Sequence, residues 1–134
     1  MKTVKTPGAT IHFRDDGILH IHYDDDFLTI EDTKRIFKFT REHSPWEVAP
    51  LYLSGGAFSN QDAESKRFNS SREVMKHCSA IAFLSPTLAQ QILANFFIKI
   101  MKSSVPTKFF QTEKEALDFL LQHSLVSDNV EVMV

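Results

Sequence analysis

Ala80-Ile81-Ala82-Phe83-Leu84-Ser85-Pro86 is the stretch on which the fold turns. Five apolar residues in unbroken succession suit a strand and leave no side for water, so the strand is predicted to be central and covered on both faces. Ser85 then serves as a cap and Pro86 as the first helical residue, where a missing N–H costs nothing because that donor has no partner inside the helix. The same junction recurs on either side. Val48-Ala49-Pro50-Leu51-Tyr52-Leu53 leads through Gly55-Gly56 to Ser59, and Thr107-Lys108-Phe109-Phe110 leads to Thr112. A strand followed by a capped helix, repeated, means parallel strands whose following loops gather along one edge of the sheet. That edge is where open α/β sheets meet ligands and partners.

Toward the N-terminus, residues 9–14 and 18–23 alternate apolar and polar as half-buried strands do. Asp15-Asp16-Gly17 joins them. A three-residue loop with Gly17 in the left-handed conformation sets Phe13 opposite Leu19 and Ile11 opposite Ile21, which keeps one face apolar. A two-residue turn would set Phe13 against His20 and mix the faces, so the side-chain period selects the longer loop. The first helix is predicted to start at Thr29, with Asp32 as its reciprocal capping partner, and to stop at Ser44-Pro45. Pro50 lacks a ladder donor and suits a strand edge or entry. Ser59 and Asp62 are read as capping a second helix, whose pattern is interrupted at Asn69-Ser70-Ser71 so that two shorter pieces are also compatible with it. A third helix carries Leu88, Ile92, Leu93, Phe96, Phe97, Ile100 and Met101, a broad apolar stripe. The last helix is capped by Thr112 with Glu115 and presents Ala116, Leu117, Leu120 and Leu121.

The predicted order is β-β-α-β-α-β-α-β-α. It gives an α/β fold with an N-terminal hairpin, then repeated α-β units, in a four- to five-stranded mixed sheet packed with about four helices. Residues 1–124 are read as one domain, and 125–134 as a tail or an added edge strand.

The composition narrows the setting. A chain of 134 residues with 43% hydrophobic and 24% charged residues fits a single ordinary globular core. A net charge of −2 supplies neither the basic field that nucleic acid requires nor a polybasic membrane anchor. Cys78 is the only cysteine, which excludes an internal disulfide framework. The segment Met1-Lys2-Thr3-Val4-Lys5 has no signal-peptide character, and Phe96-Phe97-Ile98 is cut off by Lys99. The expectation is a soluble, cytoplasmic domain.

With its elements in order, the chain resembles the SpoIIAA-like fold of STAS domains, and within that class the uncharacterised bacterial STAS/SEC14-like proteins. The hairpin Gly17-Ile18-Leu19-His20-Ile21, the stretch Leu51-Tyr52-Leu53-Ser54-Gly55-Gly56-Ala57-Phe58, and the closing Asn95-Phe96-Phe97, Val105 to Phe110 and Glu115-Ala116-Leu117 carry the resemblance. In STAS antagonists a serine at the start of the helix after that loop is phosphorylated by a partner kinase. Here Asp62 stands at that point, an aspartate that complements the helix dipole without any kinase. The resemblance also implies that Phe96, Phe97, Ile100 and Met101 line an apolar cleft or a dimer contact.

Three constellations bear on chemistry. His12, His20 and His22 project from one side of the hairpin at His-x-His spacing, which suits either a divalent metal or a solvated face. The clusters Asp15-Asp16 and Asp24-Asp25-Asp26 lack the alternate-residue layout of a calcium loop and read as solvated turns. Cys78 has His77 only as its sequence neighbour, facing elsewhere, and no nucleophile motif occurs, so no catalytic residue is assigned. The sequence therefore predicts a non-enzymatic interaction module without cofactor, acting on a protein partner, an unknown regulator, through Ser54, Gly55, Gly56, Ser59, Asn60, Gln61 and Asp62. Neither nucleic acid nor membrane is expected as a partner, and a homodimer through the hairpin or third helix is compatible with the pattern. The alternative is a small apolar-ligand or lipid-binding module with its cleft under the third helix.

Overall fold

The computed structural model describes residues 2–55, 61–84, 87, 88, 92 and 105–123. Six strands form one sheet in simple sequence order: β1 (Lys2–Thr6), β2 (Ala9–Phe13), β3 (Leu19–Tyr23), β4 (Ala49–Gly55), β5 (Cys78–Leu84) and β6 (Thr107–Phe110). The first three run antiparallel to their neighbours, and β3 through β6 run parallel. The β2–β3 register matches the expectation, with Phe13 opposite Leu19, Ile11 opposite Ile21 and His12 opposite His20. Gly17 has φ of 85°, and the Arg14 carbonyl accepts from its N–H at 3.1 Å, which is the three-residue bulged loop predicted from the period.

The sheet has one strand more than the largest predicted count. Lys2–Thr6 forms the edge beside β2, and its residues are exposed or only half-buried. An edge strand with little burial needs no apolar period, so its only signals were the β-branched Thr3, Val4 and Thr6 before the turn at Pro7-Gly8. The two lysines on it suit an edge that must not recruit another chain. Pro50 falls at the strand entry, one of the two places expected for it, in a strand that lies inside the sheet. The ladder shifts register between Ala49 and Pro50, at the strand entry, so the missing donor falls in an irregularity.

Helix α1 (Ile30–His43) starts with the predicted capping box of Thr29 and Asp32. The second helix is two pieces, α2 (Ala63–Asn69) and α3 (Arg72–Met75). They part where the Ser70 and Ser71 hydroxyls turn back onto the Lys66 and Phe68 carbonyls, giving the backbone an alternative to the helical ladder. Its cap is Asp62 alone, whose side chain accepts from the Ser65 N–H; Ser59 lies outside the described residues. Helix α4 (Glu113–Leu121) begins at Thr112 as predicted. The predicted helix over 88–101 with its Ser85 cap, and the tail 125–134, lie outside the described residues save for Leu88 and Ile92, which are both exposed.

Side-chain alternation splits the sheet into two faces. One carries Ile11, Phe13, Leu19, Ile21, Tyr23, Leu53 and Ile81, which meet Leu28 and Ile36 and, at the margin, Phe39 and Met75 of the α1–α3 side. On the other, Tyr52, Ala80, Ala82 and Phe110 pack with Ala116 and Leu120 of α4. Small Ala80 and Ala82 let α4 approach closely. Each fully buried leucine or isoleucine contributes about 1.5–3 kcal/mol.

Candidate functional site

The carboxyl ends of β3 and β4 bring two helix beginnings side by side. Leu28, just before α1, makes an isolated parallel bridge with Gln61, just before α2. Asp62 ties the two together. One of its carboxylate oxygens accepts the Ser65 N–H at 2.7 Å, and the other accepts the Ile30 N–H at 3.0 Å. A single side chain therefore satisfies orphan donors at the start of both helices. These hydrogen bonds, the backbone one from Ser65 foremost, hold the Asp62 carboxyl below the usual carboxylate range. One layer deeper, Thr33 donates its hydroxyl proton to the Ser65 hydroxyl at 2.8 Å in a buried contact between α1 and α2. The rim is thus a fixed surface. Beside it Asp24, Asp25 and Asp26 are exposed, and Phe27 leaves 46% of its area in water.

Behind that rim, the second sheet face carries the histidines. Ser54 is buried, and its hydroxyl oxygen lies 2.8 Å from His20 Nε2 and 2.8 Å from His22 Nδ1. His20 also stacks on Tyr52 with ring centroids 4.3 Å apart, while His12 stands 5.0 Å away and holds Thr3 Oγ1 at 2.9 Å. Burial lowers the His20 pKa to about 4, with His12, His22 and Arg14 adding like-charge repulsion. The two nitrogens that face one another across Ser54 are committed to its hydroxyl, and among the described residues no His, Cys, Asp and Glu cluster is arranged to hold a metal ion.

Between the sheet and α1–α3 lies an apolar cavity of about 280 Å³. Ile36, Leu53, Met75, Cys78 and Phe83 line it together with Tyr23. Burial pushes the Cys78 thiol up to about 11 and the Tyr23 phenol above its ordinary value, so both are protonated at neutral pH. At one end Arg41 is held by the Glu47 and Trp46 carbonyls and lies 2.8 Å from His77 Nδ1. The cavity lies under α1–α3; the cleft expected under the helix over 88–101 falls outside the described residues.

The predicted site residues therefore separate. Gln61 and Asp62 sit on the rim, with the Gln61 amide oxygen accepting from Asn69 at 2.8 Å. Ser54 belongs to the histidine face, and Gly55 ends β4 with φ of 93°. Gly56, Ser59, Asn60, Phe96, Phe97, Ile100 and Met101 lie outside the described residues. His12, His20 and His22 come together as their alternation required. Tyr23 and Phe27 were not singled out from sequence. Tyr23 reads as one more core position in the alternation Leu19, Ile21, Tyr23, and only its lone polar tip distinguishes it.

Comparison with known proteins agrees with the topology. The chain is similar to the crystal structure of an uncharacterized protein of the DUF3478 family with a SpoIIAA-like fold from Shewanella loihica PV-4. The two are 14% identical, with 84% of this chain and 91% of that one covered and a TM-score of 0.60. At that identity the likeness is one of fold, and the fold is SpoIIAA-like. No curated protein matches the sequence. The model of a Domain of unknown function (DUF7793) matches residues 11–124, most of the strands and all the described helices, and the chain thereby belongs to the DUF7793 family.

Proposed function

We propose that the chain is a non-enzymatic protein-interaction module whose working surface is the rim at the ends of β3 and β4. The observation that supports this is the double use of Asp62, which fixes the beginnings of α1 and α2 beside an exposed phenylalanine in an acidic run. Pre-organised backbone removes part of the ordering cost of association. A half-exposed aromatic ringed by carboxylates suits a partner with a basic surface and an apolar slot, the aromatic anchoring and the charges steering. A photo-crosslinking residue placed at Phe27 is expected to yield one discrete protein adduct in the native host. Combined Asp24→Lys and Asp25→Lys substitution should abolish it. The same probe at Lys38, on the exposed side of α1, should yield none. Absence of an adduct at position 27, or an equal one at position 38, rejects this reading.

The cavity under α1–α3 supports a second reading, a module for a small apolar ligand. At about 280 Å³ it lies just under the usual range for such sites, and apolar side chains dominate its lining. Ethylbenzene, an apolar probe, is expected to shift the ¹³C-methyl signal of Met75 saturably. An unmoved Met75 signal rejects it.

A further inference from the structure

Tyr23 is 9% exposed, and its side chain lines the cavity. Among the described residues its hydroxyl has no hydrogen-bond partner. Nor is its oxygen sealed in, since among the described residues no side-chain polar atom is both enclosed and unpaired. The phenol oxygen therefore keeps some accessible area, on a side chain that lines the cavity. A hydroxyl with so little access to water and no protein partner is costly, and proteins seldom leave one so. Phenylalanine would have filled the same space in the alternation Leu19, Ile21, Tyr23 without that cost.

We propose that the cavity binds a small uncharged molecule with an apolar body and one hydrogen-bond acceptor, which accepts the Tyr23 O–H. This rests on the apolar-ligand reading and adds to it the polar group that sets orientation. The ligand is uncharged because apolar side chains dominate the lining. Of the two cations at the lining, Arg41 is engaged by the Trp46 and Glu47 carbonyls, and Lys66 is an exposed residue. A bare carboxylate drawn inside would be desolvated without compensation. The raised Tyr23 and Cys78 titrations report the same aversion to negative charge.

Acetophenone and ethylbenzene have nearly the same apolar body and differ in a carbonyl. Both are titrated into the full chain and into its Tyr23→Phe variant, with the Met75 methyl signal reporting occupancy. Acetophenone is expected to bind the parent about three- to tenfold more tightly than the variant, and ethylbenzene to bind the two alike. The carbonyl stretch of acetophenone bound to the parent should fall below its value in alkane. Tyr23→Phe should melt no lower than the parent, because the change removes an unpaired hydroxyl.

Equal acetophenone binding by parent and variant, or a carbonyl stretch in the parent unchanged from alkane, overturns the role of Tyr23 and leaves the cavity reading standing. Benzoate binding more tightly than acetophenone overturns the choice of an uncharged ligand. If neither neutral probe moves the Met75 signal, the cavity reading fails, and this inference fails with it.

Discussion

Gly55→Ala is expected to destabilise the protein by about 3 kcal/mol or more, the largest effect of any single methyl group added to the described residues. Gly55 has φ of 93°, and a Cβ there would lie 2.3 Å from the Tyr23 carbonyl oxygen and 3.0 Å from the Tyr23 nitrogen. Both atoms belong to the backbone of β3, the strand with which Gly55 pairs, so neither can swing aside. The left-handed conformation alone costs a residue with a side chain about 1–2 kcal/mol. Pushing two paired strands apart adds about 1–3 kcal/mol, as overpacking does elsewhere. Gly8→Ala is the control. It shares a positive φ of 87°, but its nearest obstacle is the tip of the Asp25 side chain at 3.0 Å, which can turn away. Urea unfolding of the two variants should separate them clearly. A Gly55→Ala protein as stable as Gly8→Ala would show that the β3–β4 contact is looser than described.

The second large effect is a dependence of stability on pH through His20. Its pKa in the folded protein is about 4, below the ordinary 6.5, chiefly because burial disfavours the imidazolium. The unfolded chain therefore binds a proton at a higher pH than the folded one does. His20 leaves stability unimpaired above pH 6.5, erodes it as pH falls below that, and adds no further loss below about 4. A pKa unit corresponds to about 1.4 kcal/mol, and water that still reaches the ring reduces the total to about 2 kcal/mol. His20→Gln should flatten the stability profile between pH 6.5 and 4.5 by most of that amount. A parallel profile in the variant would assign the acid sensitivity to other groups. Asp32, held below the usual carboxylate range first by the Thr29 backbone N–H, contributes its own loss only in more acid solution.

What could be read from the sequence follows from how far each signal reaches along the chain. The β2–β3 hairpin was legible down to its register, because the alternation of Ile11, Phe13, Leu19 and Ile21 admits only one loop length that keeps a single apolar face. The helix starts at Thr29 and Thr112 were legible because a cap and its partner are three residues apart. Edge strand β1 was obscured by its exposure, which relieves it of any apolar period. Pro50 was legible as marking a strand edge or entry, but the irregularity that accommodates it arises only against β5. The tie from Asp62 to Ile30 spans 32 residues, and the meeting of Ser54 with His20 and His22 spans 34 and 32. Nothing local encodes such contacts; they appear only when β3 and β4 lie in register. The cavity is harder still to foresee, since its volume depends on how far α1–α3 stand off the sheet.

Ser54 has a single hydrogen to share between two imidazoles. When it donates to one ring, it must receive an N–H from the other; because the facing atoms are Nε2 of His20 and Nδ1 of His22, one of them is bare and the other protonated, and both rings hold the same tautomer. Neither tautomer can change alone without leaving two hydrogens, or none, in one of the gaps. His20 and His22 consequently behave as one bistable unit, whose two settings interchange only by concerted motion of three protons' worth of bonding. Two residues of identical chemistry are made unequal by a hydroxyl, and the direction of that inequality runs across the sheet from β3 to β4 and back.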